Sequence, residues 1–210
     1  FDYFMTQCAQ QMVVDYEYAA NQIHFYALDG NRSFTDNYQF DFSVDPVERF
    51  NITATFRYTN AKIELAGKGL VEKPMTSRFK GVLNMQYATN LNKWIFDFTA
   101  SLNGSCRVYN FMENLNEDGT MTSAPKEGVE RMYKNGRTPV YPLLYAQVTR
   151  RFKGWDVYAG VENMTNFRQK NAIIGASDPR QPSFDASCVW GPLMGVKAHV
   201  GFRFTLWKKA

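Results

Sequence analysis

Two histidines, three cysteines and scattered carboxylates are the residues with which this 210-residue chain could do chemistry. A nucleophilic triad needs a histidine within hydrogen-bond reach of both a hydroxyl and a carboxylate. His199 sits in an alternating stretch near the end, and His24 falls between two patterned segments near the start. No spacing ties either one to a serine or an aspartate. The reading is therefore a non-enzyme with no catalytic residue, and a barrel hydrolase stands as a further alternative.

The other reactive groups give equally plain readings. Glu113, Glu117 and Asp118 precede Gly119 but lack the alternating ligand spacing of a calcium loop, so no metal site is expected. Cys106 and Cys188 fall in two long connections, where an oxidising compartment would permit a disulfide. Asn31, Asn51, Asn103 and Asn163 each open an N-x-S/T triplet, but Asn51 and Asn163 lie in patterned segments, which argues against glycosylation. Lys126, Arg131, Lys134 and Arg137 form a basic stretch in the longest connection, either solvated or facing an anion. Gly67-Lys68-Gly69 lacks the flanks of a phosphate loop, and no cofactor is implied.

Something must position these groups, and composition bounds what. The net charge of +4 is small and dispersed, which excludes a nucleic-acid footprint. Scattered cysteines exclude a disulfide scaffold or a zinc ribbon. No apolar run is long enough for a membrane helix. The first residues show no basic segment followed by an apolar one, so no signal peptide is expected. The unusual feature is aromatic content: 17 Phe, 12 Tyr and 4 Trp.

Those aromatics alternate with polar residues. Met12, Val14, Tyr16 and Tyr18 do so, then Tyr38 to Val44, Phe50 to Tyr58, Phe79 to Tyr87, Trp94 to Leu102, Trp155 to Val161 and Val196 to Leu206. Residues 140–152 read as a strand with an open register. This gives about eight strands, longer than the usual five or six residues and matching the roughly 9–11 that a tilted strand needs to cross a bilayer. Long and short connections alternate, the short ones carrying Asp45-Pro46, Asn90-Leu91-Asn92 and Lys153-Gly154. Such asymmetry fits an outer-membrane barrel. Phe50, Tyr87, Trp94, Phe152, Trp155 and Trp207 would form one aromatic rim, and Tyr18, Tyr58, Phe79 and Tyr141 the other. The fold class is therefore all-β, an antiparallel transmembrane β-barrel with apolar side chains toward lipid. A complete eight-stranded barrel and a piece of a larger one both satisfy the pattern.

The last third carries a resemblance. Gly160-Val161-Glu162-Asn163-Met164-Thr165-Asn166 is followed by Ser177-Asp178-Pro179, Ser183-Phe184-Asp185-Ala186-Ser187, Trp190-Gly191-Pro192 and a closing Gly201-Phe202-Arg203-Phe204. This resembles the C-terminal end of TonB-dependent outer-membrane receptors of the Bacteroidetes type. Gln11-Met12-Val13-Val14-Asp15 and Tyr26-Ala27-Leu28-Asp29-Gly30 fit the same family less specifically. The resemblance implies a bacterial outer-membrane location and energy-coupled uptake of a scarce small-molecule ligand, such as a siderophore or cobalamin. It implies that residues 1–210 are a C-terminal segment of a barrel of about 22 strands. The plug and TonB box are absent from the chain, and the partners would be lipid, the missing barrel and plug, and the TonB complex. The family's aromatic terminal strand corresponds to Val200, Phe202 and Phe204, although Thr205 to Ala210 continue beyond it.

On this reading, contacts to ligand or plug come from polar residues facing the lumen: Arg57, Glu162, Lys197, His199 and Arg203. A structural charge network is the alternative role for the same five.

Overall fold

The computed structural model describes residues 1–19, 22–109, 113–115, 121–123, 136–170, 172–173, 175–180, 184, 186 and 188–206. The chain is all-β. Its strands are β1 (Asp2–Ala19), β2 (Gln22–Val47), β3 (Phe50–Leu65), β4 (Gly69–Glu72), β5 (Phe79–Ala88) and β6 (Trp94–Asn103). They continue with β7 (Glu113–Leu115), β8 (Met121–Ser123), β9 (Tyr141–Arg151), β10 (Trp155–Glu162) and β11 (Lys197–Phe204). One antiparallel sheet runs in the order β1-β2-β3-β5-β6-β9-β10-β11, with β4 paired to β3; β7 and β8 pair separately. Neighbours in sequence are neighbours in space, so the sheet is a meander.

The register sorts side chains onto two faces because strand side chains alternate. On one face the rungs read Phe40–Phe56–Gly81–Leu102–Pro142 and Phe42–Ala54–Leu83–Ala100–Leu144. Further along they read Tyr87–Phe96–Val148–Ala159–Val200. Most of these large side chains are exposed, from Phe40 and Phe56 to Val200 and Phe202. The opposite face is polar, and its rungs hydrogen-bond sideways. Asn84 Nδ2 donates to Thr99 Oγ1 at 2.8 Å, Gln86 Nε2 to Asp97 Oδ1 at 2.7 Å, and Thr55 Oγ1 to Asp41 Oδ1 at 2.7 Å. Among the described residues the buried apolar side chains are Val13, Ala61, Leu65 and Tyr141 on the strands and Cys106, Val108 and Cys188 in the connections. Val108 and Cys188 form a small cluster with Met75, Tyr109 and Trp190 among the long connections.

Two of the short turns lie where the sequence places them, but the β2–β3 turn falls at Glu48-Arg49, with Arg49 at φ 68°, and Asp45-Pro46 lies inside β2 at the register shift between Val44 and Val47. Asn90–Asn92 makes a single 3-10 turn, with Leu91 at φ 59° and Asn92 at φ 52°. Gly154 turns β9 into β10 at φ 87°.

Several expectations need correction. The sheet is an open path: among the described residues β1 and β11 do not pair with each other, so the eight-stranded self-closed barrel is not the form adopted. The first long connection is not a loop. Residues 22–37 extend β2, and His24 is a strand residue paired with Asp15. At about 3.3 Å per residue the 26 residues of β2 reach about 85 Å, well past a bilayer's hydrocarbon core. Of the six rings expected at the short-turn end, four are exposed there, and Phe50 is Tyr87's cross-strand partner but only partly exposed. Tyr87, Trp94, Phe152 and Trp155 are all exposed there, and Phe152 stacks on Trp155 at 4.2 Å. Trp207 lies outside the described residues.

The opposite rim is built differently. Tyr38 and Tyr58 pair across strands with centroids 6.2 Å apart, and Tyr3 joins Tyr38 at 4.9 Å. Tyr141 is not in that rim. It pairs with Asn103 on the polar face and is buried under Phe167, with ring centroids 4.5 Å apart. Tyr18 lies near the far tip of the β1–β2 hairpin, in tilted ring contact with His24 at 4.4 Å. Cys8, Cys106 and Cys188 are in no disulfide, so Cys106 and Cys188 are not bridged to each other.

Candidate functional site

The polar face of β9, β10 and β11 gathers four of the five residues singled out from the sequence. Glu162 and Lys197 are direct cross-strand partners, with Lys197 Nζ at 3.5 Å from Glu162 Oε2. His199 lies on the next polar rung, opposite Gly160, with Nε2 at 3.4 Å from Gln147 Oε1. Arg203 is the cross-strand neighbour of Asp156, whose carboxylate meets Arg151 at 3.6 Å. Arg57 stands apart. It is on the same face but on β3, and β5, β6 and β9 separate it from β10. At about 4.8 Å per strand that is roughly 20 Å. Its Nε donates to Gln39 Oε1 at 3.2 Å, and Gln39 donates to Asp41.

Beside Arg203 lies a cleft of about 390 Å³, lined by Gln86, Asp97, Gln147, Arg151, Asp156 and Tyr158 as well. Two guanidinium groups and two carboxylates face it, with amides between them. Such a surface can dock a polar group or a protein segment by directional hydrogen bonds. It holds no nucleophile–base pair. His199 has an amide as its hydrogen-bond partner, and His24 is in ring contact with Tyr18 and Tyr26. Sequence reasoning missed Gln86, Asp97, Gln147, Arg151, Asp156 and Tyr158. The signal was their place on the polar side of the alternation, which most share with the residues that were named.

A second polar cluster lies among the long connections. Glu72 receives both Arg137, at 2.8 Å, and Arg78. The Arg137 guanidinium, more than Arg78, holds the Glu72 carboxyl down to about 2 from an ordinary value of 4.5, against its partial burial. Arg107 reaches the buried Glu17 at 2.7 Å, and Lys68 approaches the same carboxylate at 3.7 Å. Arg107 and Arg137 also form a β-bridge, so both ends of the connection from β6 to β9 are tied to β1 and β4. Nothing local announces these pairs, since Glu72 and Arg137 are 65 residues apart. Of the sequence's basic stretch, Lys126, Arg131 and Lys134 lie outside the described residues, as do Glu117 and Asp118 of the acidic patch.

The closing motifs have a structural role of their own. Asn163 is buried at φ 51°. Its Nδ2 donates to the carbonyls of Phe167 (2.8 Å) and Met194 (3.0 Å), while its Oδ1 accepts from Phe167 N–H and Thr165 Oγ1. Gln169 Oε1 accepts from the N–H groups of Trp190 and Gly191, and its Nε2 donates to Cys188 O. Tyr141 donates to Trp190 O. Two buried amides thus fold the last long connection back over the polar face.

No family model matches the chain, and no curated protein matches it. Among solved structures it is similar to a mutant of the ferric enterobactin receptor from Pseudomonas aeruginosa, crystallised in complex with enterobactin. That similarity has 13% identity and a TM-score of 0.49, covering 79% of this chain and 23% of the receptor. The chain therefore spans less than a quarter of that receptor's length.

Proposed function

We propose that this chain is a wall segment of an outer-membrane β-barrel, the C-terminal part of a TonB-dependent uptake receptor of the Bacteroidetes type. One observation carries the reading: a meander whose exposed face is aromatic and aliphatic while its other face is a hydrogen-bonded polar surface. In water that arrangement is inverted. In a bilayer it is the expected one, with lipid outside and a wet lumen inside. The open edges at β1 and β11 support a larger barrel, because an unpaired strand edge has no partner in hydrocarbon. The resemblance of the Gly160–Asn166 and Trp190–Pro192 motifs supplies the family.

In this role the cleft beside Arg203 and His199 faces the lumen. Glu162, Lys197, His199, Arg203 and, across the wall, Arg57 contact the plug or a passing small-molecule ligand. The missing barrel strands, plug and TonB-contacting segment belong to the part of the protein upstream of Phe1. Reading the coding region tests this. The expected result is an open reading frame that continues upstream through more alternating strands and a plug. A start codon and export signal immediately before Phe1 would contradict it.

A further inference from the structure

One side chain departs from the rule of the apolar face. From the Tyr38–Tyr58–Phe79 rung to the Trp155–Phe204 rung, Arg150 is the one charged residue on that face among the described residues. Its rung reads Trp94–Arg150–Val157–Phe202, near the short-turn end of the sheet. The guanidinium carbon lies 4.7 Å from the centre of the Trp94 ring and 5.3 Å from that of Phe152. Two exposed rings therefore fix the cation at one height, by attraction to their faces. Arg150 has no carboxylate partner among the described residues, whereas Arg151, on the polar face, takes Asp156. Two more cations flank it. Lys93 is exposed and its carbonyl accepts the Arg151 N–H at 2.9 Å, and Lys153 is exposed in the β9–β10 turn.

We propose that Arg150, with Lys93 and Lys153, forms a headgroup site at the short-turn rim, and that its ligand is the phosphodiester of an anionic phospholipid. This rests on the membrane reading given above. A guanidinium presents paired donors that match two phosphate oxygens, which an ammonium does not. The aromatic belt places those donors at headgroup depth, and the flanking lysines favour a lipid with net negative charge over a zwitterionic one. A charge on the lipid face is tolerated at this height and not at mid-membrane, which accounts for its being alone and at the rim.

Native mass spectrometry of the full-length gene product in detergent tests the site, with phosphatidylglycerol and phosphatidylcholine as the probes. The expected result is a saturable one-to-one phosphatidylglycerol adduct. Phosphatidylcholine and the Arg150→Gln protein should bind about tenfold more weakly. Arg150→Lys keeps the charge without the fork and should fall between them. Excess inorganic phosphate should leave the adduct in place, and displacement would assign the site to free phosphate instead. Circular dichroism on the same samples separates the two readings. A β-rich, detergent-folded protein that binds both lipids equally, or is indifferent to Arg150→Gln, overturns the headgroup site and leaves the membrane reading standing. A protein that stays folded and soluble without detergent overturns both.

Discussion

The imidazole of His199 lies across the α-carbon of Gly160, its direct partner on β10. A β-carbon at position 160 would stand 2.6 Å from His199 Cε1 and 3.0 Å from the Ala146 carbonyl oxygen. The arrangement repeats in reverse one rung away, where the Tyr158 ring covers Gly201. Two glycine–aromatic pairs thus pin the register of β10 and β11 from opposite sides. Substituting Gly160→Ala should cost about 1–3 kcal/mol through overpacking. His199→Ala in the same protein should recover part of that loss. Urea unfolding of the single and double variants measures the coupling, and additive effects would show that the two residues do not crowd one another.

Glu72 gives the connection from β6 to β9 an acid-sensitive anchor. Its carboxyl is held at about 2 in the folded protein by Arg137 first and Arg78 second, against an ordinary 4.5. A depressed folded value means that the stabilisation is complete above about pH 4.5 and is lost as pH falls toward 2. Limited proteolysis across that range should show residues 136–140 becoming cleavable as acid is added. Glu72→Gln should be cleavable already at neutral pH and show no step in this window.

Asn163 carries four hydrogen bonds from a buried position. Asn163→Ala leaves the Phe167 and Met194 carbonyls without these donors, at a cost of about 1–3 kcal/mol. The effect should be local. Protease cleavage between residues 163 and 196 should rise, while amide exchange in β5 and β6 stays unchanged. Uniform loss of protection would contradict this local role.

The thiols should report the same packing. Cys106 and Cys188 are buried, and burial raises the Cys106 thiol above its ordinary range, so little reactive thiolate forms. A thiol reagent should modify Cys8 first, with Cys106 and Cys188 reacting only after unfolding. Mass measured with and without reductant should be identical. A gain of two hydrogen atoms on reduction would show a disulfide that the structure does not contain.

The sequence was most informative where lipid-like and polar faces alternate. From Tyr38 to Phe204 the strands of the meander follow that alternation apart from β9, which starts apolar on both faces and carries Arg150 on the apolar one. It misled in the first forty residues. Asp29-Gly30-Asn31 has turn chemistry, yet Gly30, at φ 67°, sits at a register break where Cys8 pairs with Ser33 and Gln10 with Asp29. A bulge and a turn ask for the same residues, so composition alone does not separate them. Tyr141 misled for a different reason. Its strand starts apolar on both faces, since its inner end is covered by Phe167 and Trp190 from a loop that lies far away in sequence. The polar-face residues on β10 and β11 were legible from parity. The Glu72–Arg137 and Glu17–Arg107 pairs were not, because long connections bring them together.

Cysteine scanning along β6 tests the central claim most directly. In the full gene product, inserted in membranes with its native cysteines replaced by alanine, residues 95–101 are changed to cysteine one at a time. Phe96→Cys, Phe98→Cys and Ala100→Cys should react only with a lipid-soluble maleimide. Asp97→Cys, Thr99→Cys and Ser101→Cys should react with a water-soluble one. A period of two between the reagents is the expected result, and equal labelling of all positions by the water-soluble reagent would contradict a lipid-facing wall.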